Sequence, residues 1–490
     1  MALHKFTRKE LDKILSNVVG KTLGEVDVNN VFARTITHPK ITGIAGDVVE
    51  RSILGYPSDQ DKNPDLLVDG IETELKTTGI RKPKQKSDLV FEAKEPMTIT
   101  AVSPHTITVE EFETSSFWHK LEHMLLVYYH YDSPETVPAA KYANFLIKGY
   151  HFHEFSDEDK EILKNDWLIV RNFIQSLKNV YKDPQDEYSR ISTDLKKKLM
   201  LIDTAPKWPN PPRFRLKRTT VSTIVQKHFG AEFEKLEETY STFKELDDKL
   251  HRITEQYKHK TVRELMNILG ITMKLNAKGD VSKSITEQII VKMFGGEAKK
   301  LSKIELFSKI GIIPKTIVQT MAGIRTEDMK LFQIDFEEWT NPDTLFEDSF
   351  VYSYFNGQQF LCIIFEEPSK NSKLLDNKFL GFKRLAIDES VLENDIKNVW
   401  EKIRYLVNNN KLKNEPVLDK KNNQRITPKT KILMTAPNFP KAEEFNFFVR
   451  GSGSDASKKP LLLNGISMYS QYFWMRGDIA VSMLKEIDFI

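Results

Sequence analysis

Two acidic residues and a lysine occur at spacings that suit metal-assisted hydrolysis. Asp65 ends an NPD sequence, and ETELK occupies residues 72–76, after a glycine at position 70 that permits a turn. Side chains alternate along a strand, so both acids of ETELK share one face with Lys76. Two neighbouring strands joined at that turn would bring the carboxylates of Asp65 and Glu74 together.

Paired carboxylates with open water positions are ligands that Mg²⁺ accepts. A bound Mg²⁺ lowers the pKa of a water molecule and neutralises charge on a phosphate, and Lys76 would orient or activate that water. Glu50, in the helical sequence GDVVERSILG, could add a third carboxylate, and Lys120, in ETSSFWHKLEH, could reach a phosphate. The alternative is a solvent-facing strand with ordinary surface charges, because an isolated D…ExK pattern is common.

Several elements must position these residues. The sequence predicts a helix over residues 42–55, a strand, turn and strand over 66–78, and a helix over 156–180 that is entered through SDEDKE. Residues 231–260 are charged, lack proline and follow a helical pattern. We therefore expect a long helix there that joins two halves of the chain.

The second half repeats the outline of the first. FLGFKRLAIDESVLENDIKNVW follows the same order as FLIKGYHFHEFSDEDKEILKNDW, with Trp400 placed like Trp167. We therefore predict a catalytic domain at residues 1–230, the connecting helix, and a degenerate copy of the domain at residues 261–490. Two unrelated α/β domains are the alternative interpretation.

The second copy lacks the acidic residues of the first. Ile290 or Val291 stands where Glu50 would recur, and IIPK at residues 312–315 stands where ELK would recur. Only Lys315 matches the first copy. Without paired carboxylates a metal site of this type cannot form, so we expect the second half not to be catalytic.

Composition and charge limit the classes of function. The chain has 490 residues, of which 40% are hydrophobic and 29% charged, with a net charge of +3 and a single cysteine, Cys362. It has no apolar run long enough to span a membrane, and its start does not resemble a secretory signal, so we expect a cytoplasmic protein. Neither a P-loop nor a dinucleotide-binding motif occurs. The basic clusters at residues 81–86 and 211–218 are candidate contacts to nucleic acid.

The order of these motifs resembles the MutH family of DNA-nicking endonucleases. GDVVERSILG, NPD, ELKT, FETSSFWHKLEHML, SDEDKEILKNDW and RFRLKRTTVSTIV occur in the family's order between residues 10 and 230. With its second copy, the chain is still more similar to the Sau-three-A group of restriction endonucleases, which have two MutH-like halves. The resemblance implies two tandem PD-(D/E)xK domains of mixed α/β (α+β) class, each a mixed sheet flanked by helices. It also implies cleavage at GATC with Mg²⁺ as cofactor.

The resemblance implies roles for individual residues. Asp65, Glu74 and Lys76 match the family's central acids and lysine. Glu50 matches its helix carboxylate, and Lys120 matches the lysine of its HKL motif. We therefore expect these five residues to be catalytic, with the three acids among them as the metal ligands.

Two departures from the family leave questions open. Eight residues separate Asp65 from Glu74 where the family usually has six. Glu72 is therefore the alternative second acid, although Glu74 would then replace the lysine. Thr42 stands where the family often has a lysine, and Lys40 is the substitute that we expect.

Basic residues late in the first domain are the predicted DNA contacts. The resemblance points to the loop IDTAPKWPNPP, in which Lys207 is expected to contact bases, and to RFRLKR. In an extended strand Arg213, Arg215 and Lys217 share one face. Together with Arg218, they are expected to contact the DNA backbone. Solubilising charge on an edge strand is the alternative.

The predicted function is that of a type II restriction endonuclease making double-strand cuts in double-stranded DNA. Arg450 resembles the family's guanine-reading arginine, so the second half is expected to bind a second copy of the site as a non-catalytic effector. One predicted centre per chain implies transient self-association on DNA, and a cognate DNA methyltransferase is the expected functional partner. A MutH-like mismatch-repair nickase and a non-cleaving DNA-binding protein are the alternatives. Glu95 lies roughly where the family senses adenine methylation.

Overall fold

A computed structural model of the chain describes residues 4–39, 41–57, 63–83, 89–133, 137–206, 208–277, 279–324, 327–347, 349–369, 372–419, 421, 423–426, 433–453 and 458–490. These residues form two compact units. The first contains the described parts of 4–133, 137–250 and 290–312, and the second those of 251–289 and 313–490. Within the described part of the chain, no helix is both long and apolar enough to cross a bilayer.

Short strands are distributed along the whole chain. In chain order they are β1 (His4–Phe6), β2 (Leu66–Val68), β3 (Ile71–Arg81), β4 (Glu92–Ala93), β5 (Met97–Ala101), β6 (Met124–His130), β7 (Leu146–His153), β8 (Ile202–Ala205), β9 (Arg213–Leu216), β10 (Ile312–Thr320), β11 (Met329–Gln333), β12 (Gln359–Glu367), β13 (Lys378–Leu385), β14 (Asn414–Pro416), β15 (Thr435–Pro437), β16 (Phe447–Gly451), β17 (Leu461–Leu463), β18 (Ile466–Met468) and β19 (Gln471–Met475).

Helices alternate with these strands. They are α1 (Arg8–Ser16), α2 (Arg34–Thr37), α3 (Ile44–Val48), α4 (Ser116–Glu122), α5 (Asp157–Val180), α6 (Arg190–Thr193), α7 (Arg218–His228), α8 (Phe243–Tyr257), α9 (Val262–Ile268), α10 (Ile285–Met293), α11 (Glu305–Ile310), α12 (Phe336–Thr340), α13 (Phe350–Asn356), α14 (Glu389–Val391), α15 (Lys397–Asn408) and α16 (Gly477–Lys485). The helix predicted over residues 156–180 is confirmed as α5, which Ser156 caps by accepting a hydrogen bond from the Asp159 backbone N–H.

The hairpin of β2 and β3 fixes the spacing of the acidic residues. Its two-residue turn at residues 69–70 is Asp-Gly, and both residues have positive φ, 48° and 87°. An Asp-Gly pair adopts such angles in the tight turns that join antiparallel strands. The register pairs Leu66 with Thr73, so continuing the ladder by one residue sets Asp65 opposite Glu74. The predicted strand, turn and strand are therefore confirmed.

The main sheet of the first unit has the order β1-β2-β3-β6-β7, with β4 paired to β3. It is mixed, because β3 is parallel to β6 but antiparallel to β2. β6 is buried along its whole length, as expected for a central strand covered on both faces. α5 buries Leu163, Trp167 and Ile174, and α1 buries Leu11 and Leu15. The predicted mixed sheet with flanking helices is confirmed.

A smaller antiparallel sheet, β5-β9-β8, also belongs to the first unit. Asp166 of α5 contacts the start of β8 and is 1% exposed. Its carboxylate accepts hydrogen bonds from the backbone N–H groups of Met200 and Leu201, both 2.8 Å long, and of Ile202, 3.2 Å long. Burial raises the pKa of this carboxyl group to about 6, although the three donors oppose the shift.

The second unit contains the sheets β10-β12-β13 and β11-β19-β16 and the hairpins β14-β15 and β17-β18. Its core is rich in aromatic residues such as Trp339 and Phe473. Cys362 on β12 is buried in this core, as a small apolar side chain would be. α15 buries Trp400, and α5 of the first unit buries Trp167.

Residues 231–260 do not form the predicted continuous helix. Within this range α8 covers Phe243–Tyr257 alone. Upstream of α8, the backbone N–H of Glu234 donates to the carbonyl of Lys303 (2.9 Å), and the carbonyl of Glu234 accepts from the N–H of Glu305 (2.9 Å). These backbone groups are therefore used in pairing with a distant segment and are unavailable for helical hydrogen bonds.

The compact units also differ from the predicted domains of residues 1–230 and 261–490, because residues 290–312 pack within the first unit. The hydroxyl of Thr219 on α7 donates to the backbone carbonyl of Lys309 on α11 (2.8 Å). The ammonium group of Lys309 forms ion pairs with Asp159 (2.6 Å) and Glu305 (2.5 Å). A chain cut at residue 230 would therefore lose part of the first unit's core.

Replacing Asp166 tests how the smaller sheet is supported. The substitution Asp166→Ala leaves three buried backbone donors without their acceptor, so we expect unfolding free energy to fall by about 3 kcal/mol or more. Urea denaturation followed by circular dichroism would measure it. Glu161→Ala, at an exposed position of the same helix, is the control and should change stability by less than about 0.5 kcal/mol. Equal losses of unfolding free energy in the two variants would contradict a supporting role for the Asp166 carboxylate.

Candidate active site

Glu74 lies at the centre of a cluster of charged side chains. It is on β3 and is 1% exposed. The ammonium group of Lys120 donates to both carboxylate oxygens of Glu74, each at 3.0 Å. Lys76, two residues along the same strand, donates to Oε1 at 2.6 Å. A buried carboxylate needs such partners, because it has lost the hydration that it would have in water.

Asp65 stands beside this cluster, just before β2. Its Oδ2 accepts a hydrogen bond from the backbone N–H of Leu75 at 2.9 Å, which holds it against the neighbouring strand. Burial raises the pKa of the Asp65 carboxyl group to about 6, and the negative charge of Glu74 adds to the rise. The charges of Lys76 and Lys120 act in the opposite direction.

Local packing brings Lys120 to the cluster. The hydroxyl of Ser115 caps α4 by accepting from the backbone N–H of Trp118 at 3.1 Å. Phe117, Trp118 and Leu121 of this helix are buried, so the helix is fixed against the core. The chain then enters β6, which runs parallel to β3. Lys120 is thereby held over the strand that carries Glu74.

The register of the two acids in ETELK follows from the hairpin. Glu74 is buried opposite Asp65, whereas Glu72 is exposed and pairs with Leu67. The structure therefore brings Asp65 together with Glu74 and not with Glu72. The two extra residues relative to the usual family spacing are contained within the β2-β3 hairpin.

Glu50 lies on a π-helical turn, Val49–Ile53, that continues α3. It is half-buried, and α3 packs against β3. Among the described residues, however, no three or more histidine, cysteine, aspartate or glutamate side chains form a group that could hold a metal ion. The role of Glu50 as a third metal ligand therefore stays a prediction.

The Asp65–Glu74 pair fits Mg²⁺ by the chemistry of its donors. Mg²⁺ binds through one or two protein carboxylates and keeps several of its waters. Asp65 and Glu74 offer two such carboxylates side by side. The negative charge of Glu74 raises the pKa of Asp65. A divalent cation beside both would relieve this repulsion. The side chain of Lys76 is 23% exposed, against 9% for Lys120, so Lys76 is the more accessible lysine of the cluster.

The residues predicted to contact DNA have different surroundings. Arg213 is exposed on β9. Arg215 forms two hydrogen bonds to the carboxylate of Asp203 on β8, at 2.7 and 3.1 Å. Arg218 pairs with Glu92 at 3.2 Å. Lys207 and Lys40 lie outside the described residues, as do parts of the basic cluster at residues 81–86.

Lys217 does not share a face with Arg213 and Arg215, so this part of the prediction is wrong. β9 ends at Leu216, and Lys217 turns inward before α7 begins. It is 7% exposed, and its ammonium group donates to the backbone carbonyl of Leu199 at 2.6 Å. Its ammonium charge is therefore engaged inside the protein, and a contact from Lys217 to the DNA backbone stays a prediction.

Arg450 and Glu95 are placed on their units' surfaces. Arg450 is on β16 of the second unit, with 48% of its side chain exposed, and it pairs with Asp328 at 2.9 Å. The side chain of Glu95 is 67% exposed, and its carboxylate forms an ion pair with Lys94. The sequence analysis did not identify Asp203 as the partner of Arg215. Aligning β8 with β9 as an antiparallel pair would have placed the two residues opposite each other.

Comparisons with known proteins find two similar sequences. Residues 54–166 match the family model of the DNA mismatch repair enzyme MutH. The chain is also 23% identical over 501 residues to the type II restriction enzyme Sau3AI of Staphylococcus aureus, an alignment that covers 90% of this chain and 92% of that protein. The MutH match contains the acid pair and both lysines of the cluster, whereas Glu50 precedes it. The family resemblance found in the motifs is confirmed.

The raised pKa of Asp65 predicts a pH-dependent cost to stability. An aspartate whose pKa rises on folding destabilises the folded state once pH exceeds about 4, and fully above about 6. Without divalent ions, Asp65→Asn should therefore increase unfolding free energy by roughly 3 kcal/mol at pH 8 and leave it nearly unchanged near pH 4. Urea titrations across this pH range would measure the difference.

The exposed neighbour provides the control for this measurement. Glu72→Gln should give a small and flat difference from wild type across the same pH range, because Glu72 is exposed. Adding Mg²⁺ at pH 8 should increase the unfolding free energy of the wild-type chain more than that of the Asp65→Asn variant. A pH-independent effect of Asp65→Asn would argue against a buried, repelled carboxylate.

Proposed function

We propose that the chain, which is similar to the mismatch repair enzyme MutH and to the restriction enzyme Sau3AI, is a type II restriction endonuclease whose Mg²⁺-dependent double-strand cuts fall at GATC. The observation that carries the proposal is the group of Asp65, Glu74, Lys76 and Lys120 in the first unit. The choice of GATC rests on the resemblance of the sequence motifs to the family.

Asp65 and Glu74 would hold the Mg²⁺ ion. When bound, the ion supplies an acidified water molecule and neutralises charge on the phosphate that is attacked. Asp65 must be deprotonated to act as a ligand, so its raised pKa makes binding improve as pH rises through about 6. The Leu75 N–H keeps its carboxylate oriented toward the neighbouring strand in either state.

The two lysines act on the charges around the phosphodiester. Lys76 is the more exposed of the two, and its ammonium group would orient the attacking water and hold a phosphate oxygen. Lys120, held on α4, balances the charge of Glu74 and keeps that side chain in place. Arg213, on the exposed side of β9, would contact the backbone of the same duplex.

A MutH-like mismatch-repair nickase is the second candidate. It is favoured by the match of residues 54–166 to the mismatch repair family. The alignment to the restriction enzyme, however, extends over 90% of the chain, which favours the restriction endonuclease. One centre per chain implies that two chains must act together on DNA to cut both strands.

The second unit is proposed to bind another copy of the site without cutting it. At the position where ELK would recur, β10 carries IIPK. The ammonium group of Lys315 donates to the backbone carbonyl of Lys330 at 3.0 Å, and burial lowers its pKa to about 8. Lys315 is therefore engaged in the unit's own structure. Arg450 would contact the bound DNA.

A cognate DNA methyltransferase would protect the host's own sites from cleavage.

Digestion of plasmid DNA tests the proposed function. We expect wild-type protein with Mg²⁺ to cut a plasmid with several GATC sites into fragments whose ends map to GATC, and EDTA to abolish cutting. Glu74→Gln should reduce the rate on the order of 100-fold or more, because it removes one carboxylate charge and loosens Lys76 and Lys120. Gel analysis of linear, nicked and closed forms measures the outcome.

Glu72→Gln is the matched control, since it makes the same chemical change two residues away on an exposed side chain. It should cut at nearly the wild-type rate. Accumulation of nicked circles alone would favour the nickase. Tight DNA binding without any cleavage would refute the nuclease proposal, and fragment ends at another sequence would refute GATC.

A further inference from the structure

One face of the β11-β19-β16 sheet in the second unit carries aromatic and cationic side chains in register. Trp474 pairs with Lys330 on one neighbouring strand and with Phe448 on the other, and Tyr472 pairs with Arg450. Residues paired directly across strands point to the same side of a sheet. The opposite side is buried in the core and includes Phe332, Phe447, Val449, Phe473 and Met475.

The aromatic rings hold the two cations in place. The ammonium group of Lys330 lies 3.2 Å from the ring centroid of Tyr472 and 5.8 Å from that of Trp474. The guanidinium carbon of Arg450 lies 4.7 Å from the ring centroid of Phe448 and 5.2 Å from that of Trp474. Cations over aromatic faces at such distances are attracted to the rings. Both charges are thereby ordered before any ligand arrives.

Polar contacts orient Arg450 further. Its guanidinium group pairs with Asp328 Oδ2 at 2.9 Å, while Asp328 Oδ1 accepts from the backbone N–H of Gly477 at 3.1 Å. The indole N–H of Trp474 donates to the backbone carbonyl of Arg450 at 3.3 Å. Arg450 remains 48% exposed and Lys330 is exposed, so these ordered charges face the solvent.

We propose that this cation–aromatic face, formed by Lys330, Arg450, Tyr472 and Trp474 with the buried ring of Phe448 beneath Arg450, binds a DNA duplex through its phosphate backbone. The inference rests on the proposed effector function of the second unit and names the surface that performs it. Fixed cations complement the phosphate charge, and ordering them in advance removes part of the entropy that long side chains lose on binding.

The arrangement favours a duplex over single-stranded DNA. Proteins that bind single strands stack unpaired bases on the faces of aromatic rings. Here the faces of Tyr472 and Trp474 are already occupied by Lys330 and Arg450, so a base would have to displace a cation in order to stack. The rings therefore act as supports for the charges, and the charges contact the ligand.

DNA titrations of the full-length chain test the proposal. The Asp65→Asn background removes cleavage, and the probe is a short duplex with one GATC site, titrated at several salt concentrations. We expect two duplexes to bind per chain. Lys330→Gln should weaken one of the two steps by about tenfold and reduce the slope of log K against log salt by about 1 for that step.

Lys402 provides the matched control. It is an exposed lysine of the second unit whose ammonium group also lies over a tyrosine ring, 5.8 Å from the centroid of Tyr405, but on α15 and not on this sheet. Lys402→Gln removes the same charge and should leave both binding steps and their salt slopes unchanged. Thermal melting would establish that each variant remains folded.

The supporting role of the rings is tested at Tyr472. Tyr472→Phe keeps the ring under Lys330 and should bind both duplexes like the parent chain. Tyr472→Leu removes the ring and should weaken the same step as Lys330→Gln, because the ammonium group is no longer held. A Leu variant that melts earlier but binds normally would show that the ring only stabilises the fold, which would overturn its supporting role.

The outcomes separate this inference from the proposed function. If the Asp65→Asn parent chain and its Lys330→Gln variant both bind two duplexes with equal affinity and slope, the inference fails while the effector function stands. If the parent chain binds one duplex only, the effector function itself fails. If Lys330→Gln or Tyr472→Leu instead changes affinity for oligo-dT and not for the duplex, the face binds single strands and the proposal is overturned.

Discussion

The carboxylate of Glu74 is removed from water, and the candidate site depends on how the chain compensates for that. A buried charge that loses its partner costs several kcal/mol, so the ammonium groups of Lys76 and Lys120 are structural requirements as well as chemical ones. One lysine comes from the same strand and the other from α4, and the hairpin adds Asp65. The ion cluster therefore holds β2, β3 and α4 in the arrangement that the chemistry needs.

The parts of the site that could be predicted from the sequence are those encoded by neighbouring residues. An Asp-Gly turn and strand alternation determine that Asp65 faces Glu74, and the structure has this pairing. The same alternation failed at Lys217, because the strand ends one residue earlier and the chain turns inward. The alternation of side chains indicates a shared face only for residues within the strand. Packing determines the residue at which the strand ends.

Other features depend on contacts that a single sequence does not reveal. Residues 231–242 have a helical composition, yet the backbone of Glu234 pairs with residues 303–305, and tertiary pairing overrides local propensity. Lys330 was missed for a related reason. Its neighbours Tyr472 and Trp474 lie far away in the chain, so nothing in the local sequence distinguishes it from other surface lysines.

The placement of residues 290–312 has a consequence for how the protein is made. Chains emerge from the ribosome from the N-terminus, and domains generally fold as units as they emerge. Here α11 packs on α7 through Thr219 and supplies Lys309 to Asp159, so the first unit stays incomplete until the intervening residues 251–289 have been synthesised. A nascent chain thus completes its first unit only after translation has passed residue 312. Exchange of whole halves between related genes would also divide this core, so such hybrids should inherit folding defects.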